Sequence, residues 1–299
     1  MAATTLALVL GRLAVIVLAM LALAALLIVG QERLVRTHHE FRERFAAVAP
    51  YAGLLAVVLV ANKVARDVGP DVSWILGIRI TGHLQRLDGR LLWPLFPDNT
   101  PQVVVWLQSM ATPELTAYFA FVYVYGYVFL LVFPFVAYFA LPEPEPLRRT
   151  IVAYASNYVL GVLCYVIFIA YGPRNLIADY AEGLLYTQYA HYQFVTMAVN
   201  DQTNVFPSLH TSMAVTAALL AWTTRERYPR WLPIAAVLAV SVVISTVYLG
   251  IHWAMDAIFG IVLAWISVRI GCYYEDRPPQ YGRFTDRFRG AIEAIPSRS

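Results

Sequence analysis

The chain has 299 residues, of which 60% are hydrophobic and only 14% charged, with a formal charge of +3. Soluble domains carry roughly 45–50% apolar and about 25% charged residues, so this composition excludes a soluble globule, a disordered chain and a nucleic-acid binder. The two cysteines, Cys164 and Cys272, lie in or at the end of apolar runs and make neither a disulfide framework nor a zinc site.

A helical membrane span needs about 20 mostly apolar residues. Seven apolar runs approach that length, at roughly 5–30, 46–62, 115–140, 150–171, 208–223, 232–250 and 252–271. The fold class expected is therefore all-α, a polytopic membrane helical bundle of about seven transmembrane helices. The first run lacks a basic leader and exceeds the usual hydrophobic length of a cleaved signal peptide, which favours its retention as a span. The fifth run is short. The last two are separated only by Gly250 and Ile251, which predicts a tight reversal at a membrane surface.

Orientation follows from where the basic residues fall. Arg148 and Arg149 follow the third run, Arg225, Arg227 and Arg230 follow the fifth, and Arg277, Arg283, Arg287, Arg289 and Arg298 lie in the tail. The alternate loops carry Arg174 alone and nothing. The expectation is a multi-pass cell-membrane protein with a cytoplasmic C-terminus and extracytoplasmic loops after the fourth and sixth runs. Residues 63–100 run against that count, with five basic residues on the outer side. There Ile80, Leu84, Leu87 and Leu91 recur at helical spacing beside Arg79, His83, Arg86 and Arg90. Two readings stay open: an interfacial amphipathic helix, or a helix packed on the bundle with a solvated basic face. Pro94, Pro97 and Pro101 mark the loop that follows. The organisation expected is an N-terminal membrane module over 1–114, a catalytic core over 115–271 and a basic cytoplasmic tail over 272–299.

Three polar clusters break the apolar pattern, and the topology brings all three to one membrane face. They are Tyr171-Gly-Pro-Arg174, Phe206-Pro-Ser-Leu-His-Thr-Ser212, and Ser245 through Asp256. Pro207 suits a helical first turn, and a helix start is an anion site, to which Ser208 adds a hydroxyl and His210 an imidazole. Taken alone, the same residues read as a helix cap with a surface histidine. His252 and Asp256 are four apart, the spacing of neighbours on one helix face. A carboxylate inside a span costs about 2.5–3.5 kcal/mol, so Asp256 needs a partner, and His252 is the nearest. A carboxylate on one ring nitrogen fixes the tautomer and sharpens the other as a nucleophile. A structural His–Asp pair closing the turn is the plainer alternative. Arg174 supplies a guanidinium that can clamp two phosphate oxygens, or it snorkels. Together a cation, a helix start and a His–Asp pair are the parts needed to move a phosphoryl group.

Pro207-Ser-Leu-His210 and Ser245 through Asp256 resemble the second and third signature motifs of the type 2 phosphatidic acid phosphatase superfamily, which includes lipid phosphate phosphatases and vanadium haloperoxidases. The resemblance spans about residues 115–271 and implies a phosphatidic acid phosphatase-like core. It implies His252 as the residue that attacks phosphorus, Asp256 as the acid that orients it, and His210 as the acid that protonates the leaving oxygen. Arg174 and Ser208 would hold the phosphate. The sequence departs from the phosphatase pattern at Ile167, where a Lys is usual, at Asn175, where a Pro follows the Arg, and at Thr246, where an Arg follows the serine. Similar departures occur in the branch resembling inositol phosphorylceramide synthases and sphingomyelin synthases, which transfer a phospho-head group to an alcohol.

The function expected is a membrane lipid phosphatase or phosphotransferase that works through a phosphohistidine without metal or cofactor. Its substrate would be a membrane lipid phosphate or polyprenyl phosphate, with a polyol as a candidate acceptor. A metal-dependent hydrolase built on His210, His252 and Asp256 and a non-catalytic lipid carrier are the competing classes. Tyr118, Tyr123, Tyr125 and Tyr127 suit lateral lipid access in the carrier reading, and packing or interface anchoring otherwise. Tyr186, Tyr189, His191, Tyr192 and Asn200 read as a head-group pocket or as an interfacial lid.

Overall fold

The computed structural model describes residues 2–94, 102–188 and 205–276, and these are helical almost throughout. Helix α1, Ala2–Ala24, continues through a π-helical turn, Ala25–Val29, and stops at Gly30, whose φ of 87° is open to glycine and strained for other residues. A short polar helix α2, Gln31–His39, leads into α3, Phe41–Leu76, a 36-residue rod that lies along α8, Glu145–Ile167. The third hydrophobic run becomes α6, Pro113–Phe121, a π-helical turn Val122–Gly126, and α7, Tyr127–Phe139. Thr112 starts it, its side chain accepting from Leu115 N with Pro113 in the first turn. Beyond it stand α11, Leu209–Thr223, α12, Trp231–Tyr248, and α13, Ala254–Asp276. The short helices α4, Thr81–Leu91, α5, Val103–Gln108, α9, Pro173–Leu176, and α10, Leu184–Gln188, gather around the ends of the long ones.

Among the described residues six helical stretches are long and apolar enough to cross a membrane: Ala7–Val29, Phe41–Ala65, Pro113–Phe139, Glu145–Ile167, Trp231–Tyr248 and Ala254–Tyr274. The chain is an all-α multi-pass membrane protein. The seventh expected span, 208–223, forms the 15-residue α11, about 22 Å at 1.5 Å per residue and short of a hydrocarbon core of about 30 Å. Its packing explains why so short a helix suffices. It lies against α7, α8, α12 and α13, and Leu209, Thr211, Ser212, Met213, Ala214, Thr216 and Ala217 are all buried. Its polar groups are satisfied by protein: Asn157 Nδ2 donates to Ser212 Oγ at 2.6 Å and to Thr216 Oγ1 at 2.9 Å.

Among the described residues one two-residue pairing departs from pure helix. Ile78–Arg79 (β1) runs parallel to Phe168–Ile169 (β2) and seats α4 at the end of α8. The apolar stripe expected on this helix is not the face it buries. Leu84 and Asp88 turn inward, at 3% and 0% exposure, whereas Leu87 and Leu91 remain 42% and 40% exposed. Ile80 caps the helix and Arg79 belongs to the strand. Helix α4 packs on α5 and α13 through that inward side. Pro97 and Pro101, and the tail beyond Asp276, lie outside the described residues.

Candidate active site

The three polar clusters meet at one end of the bundle, tied mostly through backbone. Arg174 N donates to Gly250 O at 3.2 Å, and Ser208 N donates to Asp256 O at 3.0 Å. The indole Nε1 of Trp253 donates to Tyr171 O at 2.8 Å. The reversal between α12 and α13 closes on Thr246, whose carbonyl accepts from Ile251 N at 3.2 Å and His252 N at 3.0 Å. Gly250 sits there with φ 75°, and a Cβ on it would lie 2.3 Å from Glu182 O. Gln108 fastens the same corner, its Nε2 donating to Glu182 O and Tyr248 O while its Oε1 accepts from Glu182 N.

Helix α11 begins at Leu209, so Pro207, expected in its first turn, stands outside it. Ser208 is the N-cap, its Oγ accepting from Thr211 N at 3.3 Å, and Pro207 precedes the helix on a cis peptide bond. The hydroxyl proton of Ser208 is left to donate. His210 is not a surface residue. It is half-buried between two tyrosines of the third hydrophobic helix, with Tyr123 stacked at 4.6 Å and Tyr127 tilted at 4.7 Å between ring centroids. The π-helical turn Val122–Gly126 carries Tyr123 and ends beside Tyr127; such turns recur at functional sites.

His252 and Asp256 do come together, but not on one helix face. Helix α13 begins at Ala254, so His252 stands in the turn before it and Asp256 in its first turn. His252 Nδ1 lies 3.6 Å from Asp256 Oδ2, too far for a hydrogen bond. Asp256 Oδ2 instead accepts from Trp253 N at 2.9 Å. Asp256 is fully buried and His252 is 3% exposed. Burial first, then the nearby Arg174 charge, push the imidazole down to about 3, against the bond it makes to the Val205 carbonyl. His252 is therefore neutral at pH 7. The rings of His210 and His252 are 6.4 Å apart. Arg174 lays its guanidinium over Tyr186 of α10, 4.5 Å from the ring centroid.

Among the described residues, no group of three His, Cys, Asp or Glu is placed to hold a metal ion. Ile167 ends α8 with its side chain 46% exposed, and Thr246 is fully buried with Oγ1 on Val243 O. Tyr118 is 46% exposed and its hydroxyl is bonded to Ser241. Tyr189, His191, Tyr192 and Asn200 lie outside the described residues.

A family model described as the PAP2 superfamily matches residues 100–270, more than half of the chain. The chain belongs to the PAP2 superfamily. The matched segment contains Arg174, Ser208, His210, His252 and Asp256 and leaves out α1 to α4. No curated protein and no solved structure matches the chain. Membership of the PAP2 superfamily supports a phosphatase-type activity on lipid phosphoesters, and a multi-pass membrane protein fits a lipid substrate.

Proposed function

We propose that the protein cleaves or transfers a lipid-linked phosphoester through a phosphohistidine formed on His252. One observation carries this reading. Of seven buried side-chain polar atoms without a hydrogen-bond partner among the described residues, four surround the meeting point of the clusters: Tyr123 Oη, Arg174 Nη1, His252 Nδ1 and Asp256 Oδ1. Buried polar groups are nearly always satisfied, so a knot of orphaned donors and acceptors marks where a polar ligand belongs. Arg174 and the Ser208 hydroxyl would hold the non-bridging phosphate oxygens, with the Tyr123 hydroxyl as a further donor.

In the first step a ring nitrogen of His252 attacks phosphorus with its lone pair, and the bond from phosphorus to the leaving oxygen breaks. His210 gives that oxygen a proton. The Val205 carbonyl accepts from the ring and keeps it oriented, and the Asp256 carboxylate, 3.6 Å from Nδ1, stabilises the charge that develops on it. In the second step water or an alcohol surrenders its proton to His210 and attacks phosphorus, and the N–P bond breaks. The absence of cationic side chains at Ile167 and Thr246 favours an alcohol such as a polyol over water, as in the inositol phosphorylceramide synthase-like branch. The distribution of arginines supports a site on the extracytoplasmic face with the C-terminus in the cytoplasm.

The test is turnover of lipid phosphates, polyprenyl phosphate included, by purified protein, with products followed by mass spectrometry with and without polyols. His252→Ala is expected to abolish turnover, and vanadate, not a chelator, to inhibit the wild type. Equal turnover by the two proteins would overturn the proposal. Free phosphate against a newly substituted polyol separates hydrolysis from transfer.

A further inference from the structure

Helix α13, which carries Asp256, starts without a capping side chain of its own. The residue before Ala254 is Trp253, whose indole cannot accept a hydrogen bond. Asp256 performs half of a capping box by accepting from Trp253 N at 2.9 Å. An N-cap Ser, Thr, Asp or Asn would normally accept from another free amide of the first turn; here an acceptor for that turn comes from 166 residues away, Asp88 Oδ1 accepting from Ala254 N at 2.7 Å. The second oxygen of the same carboxylate accepts from Val103 N at 3.0 Å, at the start of α5. That helix ends in Gln108, the residue that fastens Tyr248 and Glu182.

Asp88 lies in α4, outside the segment matched by the PAP2 superfamily. It is 0% exposed. Burial holds its carboxyl up at about 6, against the pull of the Val103, Ala254 and Met255 amides, with Asp256 as a like charge nearby. At pH 7 it is a buried carboxylate whose hydrogen bonds all go to backbone that frames the site. An anion at the N-terminus of a 23-residue helix is also favoured by the helix dipole.

We propose that Asp88 is a positioning residue: the membrane module ahead of the family core supplies, through this carboxylate, the missing cap of the helix that carries Asp256 and so fixes the His252–Asp256 pair. Its kinetic part rests on the reaction proposed above, while its geometric part does not. Without the carboxylate the first turn of α13 frays, Asp256 drifts from Trp253 N, and the imidazole loses its register with Arg174 and His210.

The experiment compares wild type, Asp88→Asn, Asp88→Ala and His252→Ala, each purified full length and taken from the monodisperse size-exclusion peak. Amide hydrogen exchange is followed by mass spectrometry over residues 252–258, and turnover is measured on dioleoylphosphatidic acid in detergent micelles. Asp88→Ala is expected to speed exchange in that window and to lower kcat by about tenfold or more with KM within about threefold, since small misplacements of a reacting group cost rate rather than binding. Asp88→Asn keeps an acceptor for Ala254 N but turns an amide donor toward Val103 N, so its loss should be smaller. It decides the matter if the alanine variant does not fold. Unchanged exchange in both variants would overturn the cap, and faster exchange with wild-type kcat would overturn the positioning role. Turnover by His252→Ala equal to wild type would instead sink the parent reaction, with the exchange data still deciding the cap.

Discussion

Gly172 caps α9, two residues before Arg174, at φ −73°, a backbone angle that any residue adopts. Alanine there carries no conformational penalty, yet its Cβ would lie 2.3 Å from the carbonyl oxygen of Ile251. An ordinary contact begins near 3.4 Å, so the arginine turn and the histidine turn must part by about 1 Å, and the 3.2 Å bond from Arg174 N to Gly250 O stretches with them. A misplacement of about 1 Å costs roughly 100-fold in rate, equivalent to about 2.7 kcal/mol of barrier. Gly183, on the other side of the arginine, is the control: a Cβ there meets Arg174 Cδ and Tyr186 Cδ2 at 3.4 Å, ordinary contact. We expect kcat/KM on a lipid phosphate to fall about 100-fold in Gly172→Ala and to hold in Gly183→Ala, with both eluting as monodisperse protein. Activity of Gly172→Ala within about threefold of wild type, or an equal loss in Gly183→Ala, would refute the claim that close approach of these turns sets the geometry.

Tyr123→Phe keeps the ring against His210 and removes only the hydroxyl; weaker inhibition by vanadate and about a tenfold lower kcat/KM are expected, in line with a hydrogen bond to a charged group. An unchanged vanadate response would remove Tyr123 from the phosphate site. Asn157→Ala strands the hydroxyls of Ser212 and Thr216 inside the bundle, and about 1–3 kcal/mol of stability should be lost, read as a lower Tm in detergent. A shift of zero would mean that water takes the place of the amide. His252, pushed down to about 3 from an ordinary 6.5 by burial and Arg174, is neutral above that value, so it contributes no acid limb to the pH profile of kcat/KM between about pH 5 and 8. Carbon-13 NMR of labelled histidines checks this, and a His252 signal titrating near 6.5 would contradict it.

Hydropathy alone located the spans because lipid-facing helices must be apolar along their whole length. It lost precision at 208–223 for a physical reason: α11 is wrapped by protein, so Thr211, Ser212 and Thr216 bond inside the bundle and interrupt a run that lipid would have kept apolar. The gathering of Arg174, Ser208, His210, His252 and Asp256 was legible from topology, since alternating spans return to the same face. Their connections were not, because Arg174 to Gly250 and Ser208 to Asp256 are joined through backbone atoms that carry no residue identity. Spacing put His252 near Asp256 but could not reveal that the helix begins between them and that the carboxylate turns to Trp253 N. The contact of Tyr123 and Tyr127 with His210 was not legible, because an aromatic in an apolar run has a packing role by default and the π-helical turn at Val122–Gly126 breaks the 3.6-residue period. Asp88 was hidden by the opposite habit of counting any acid on an amphipathic helix toward its wet face.

The guanidinium of Arg174 rests on the face of Tyr186, and among the described residues no carboxylate pairs with it. Cation–π attraction is worth about 0.5–2 kcal/mol, and it leaves the formal charge of the arginine uncancelled. Among the described residues an arriving anion has no resident acid to evict and no rival charge to outbid. Selectivity at this arginine is then a contest between anions alone, in which a doubly charged tetrahedral oxyanion has the advantage over chloride or a carboxylate before any shape complementarity is considered.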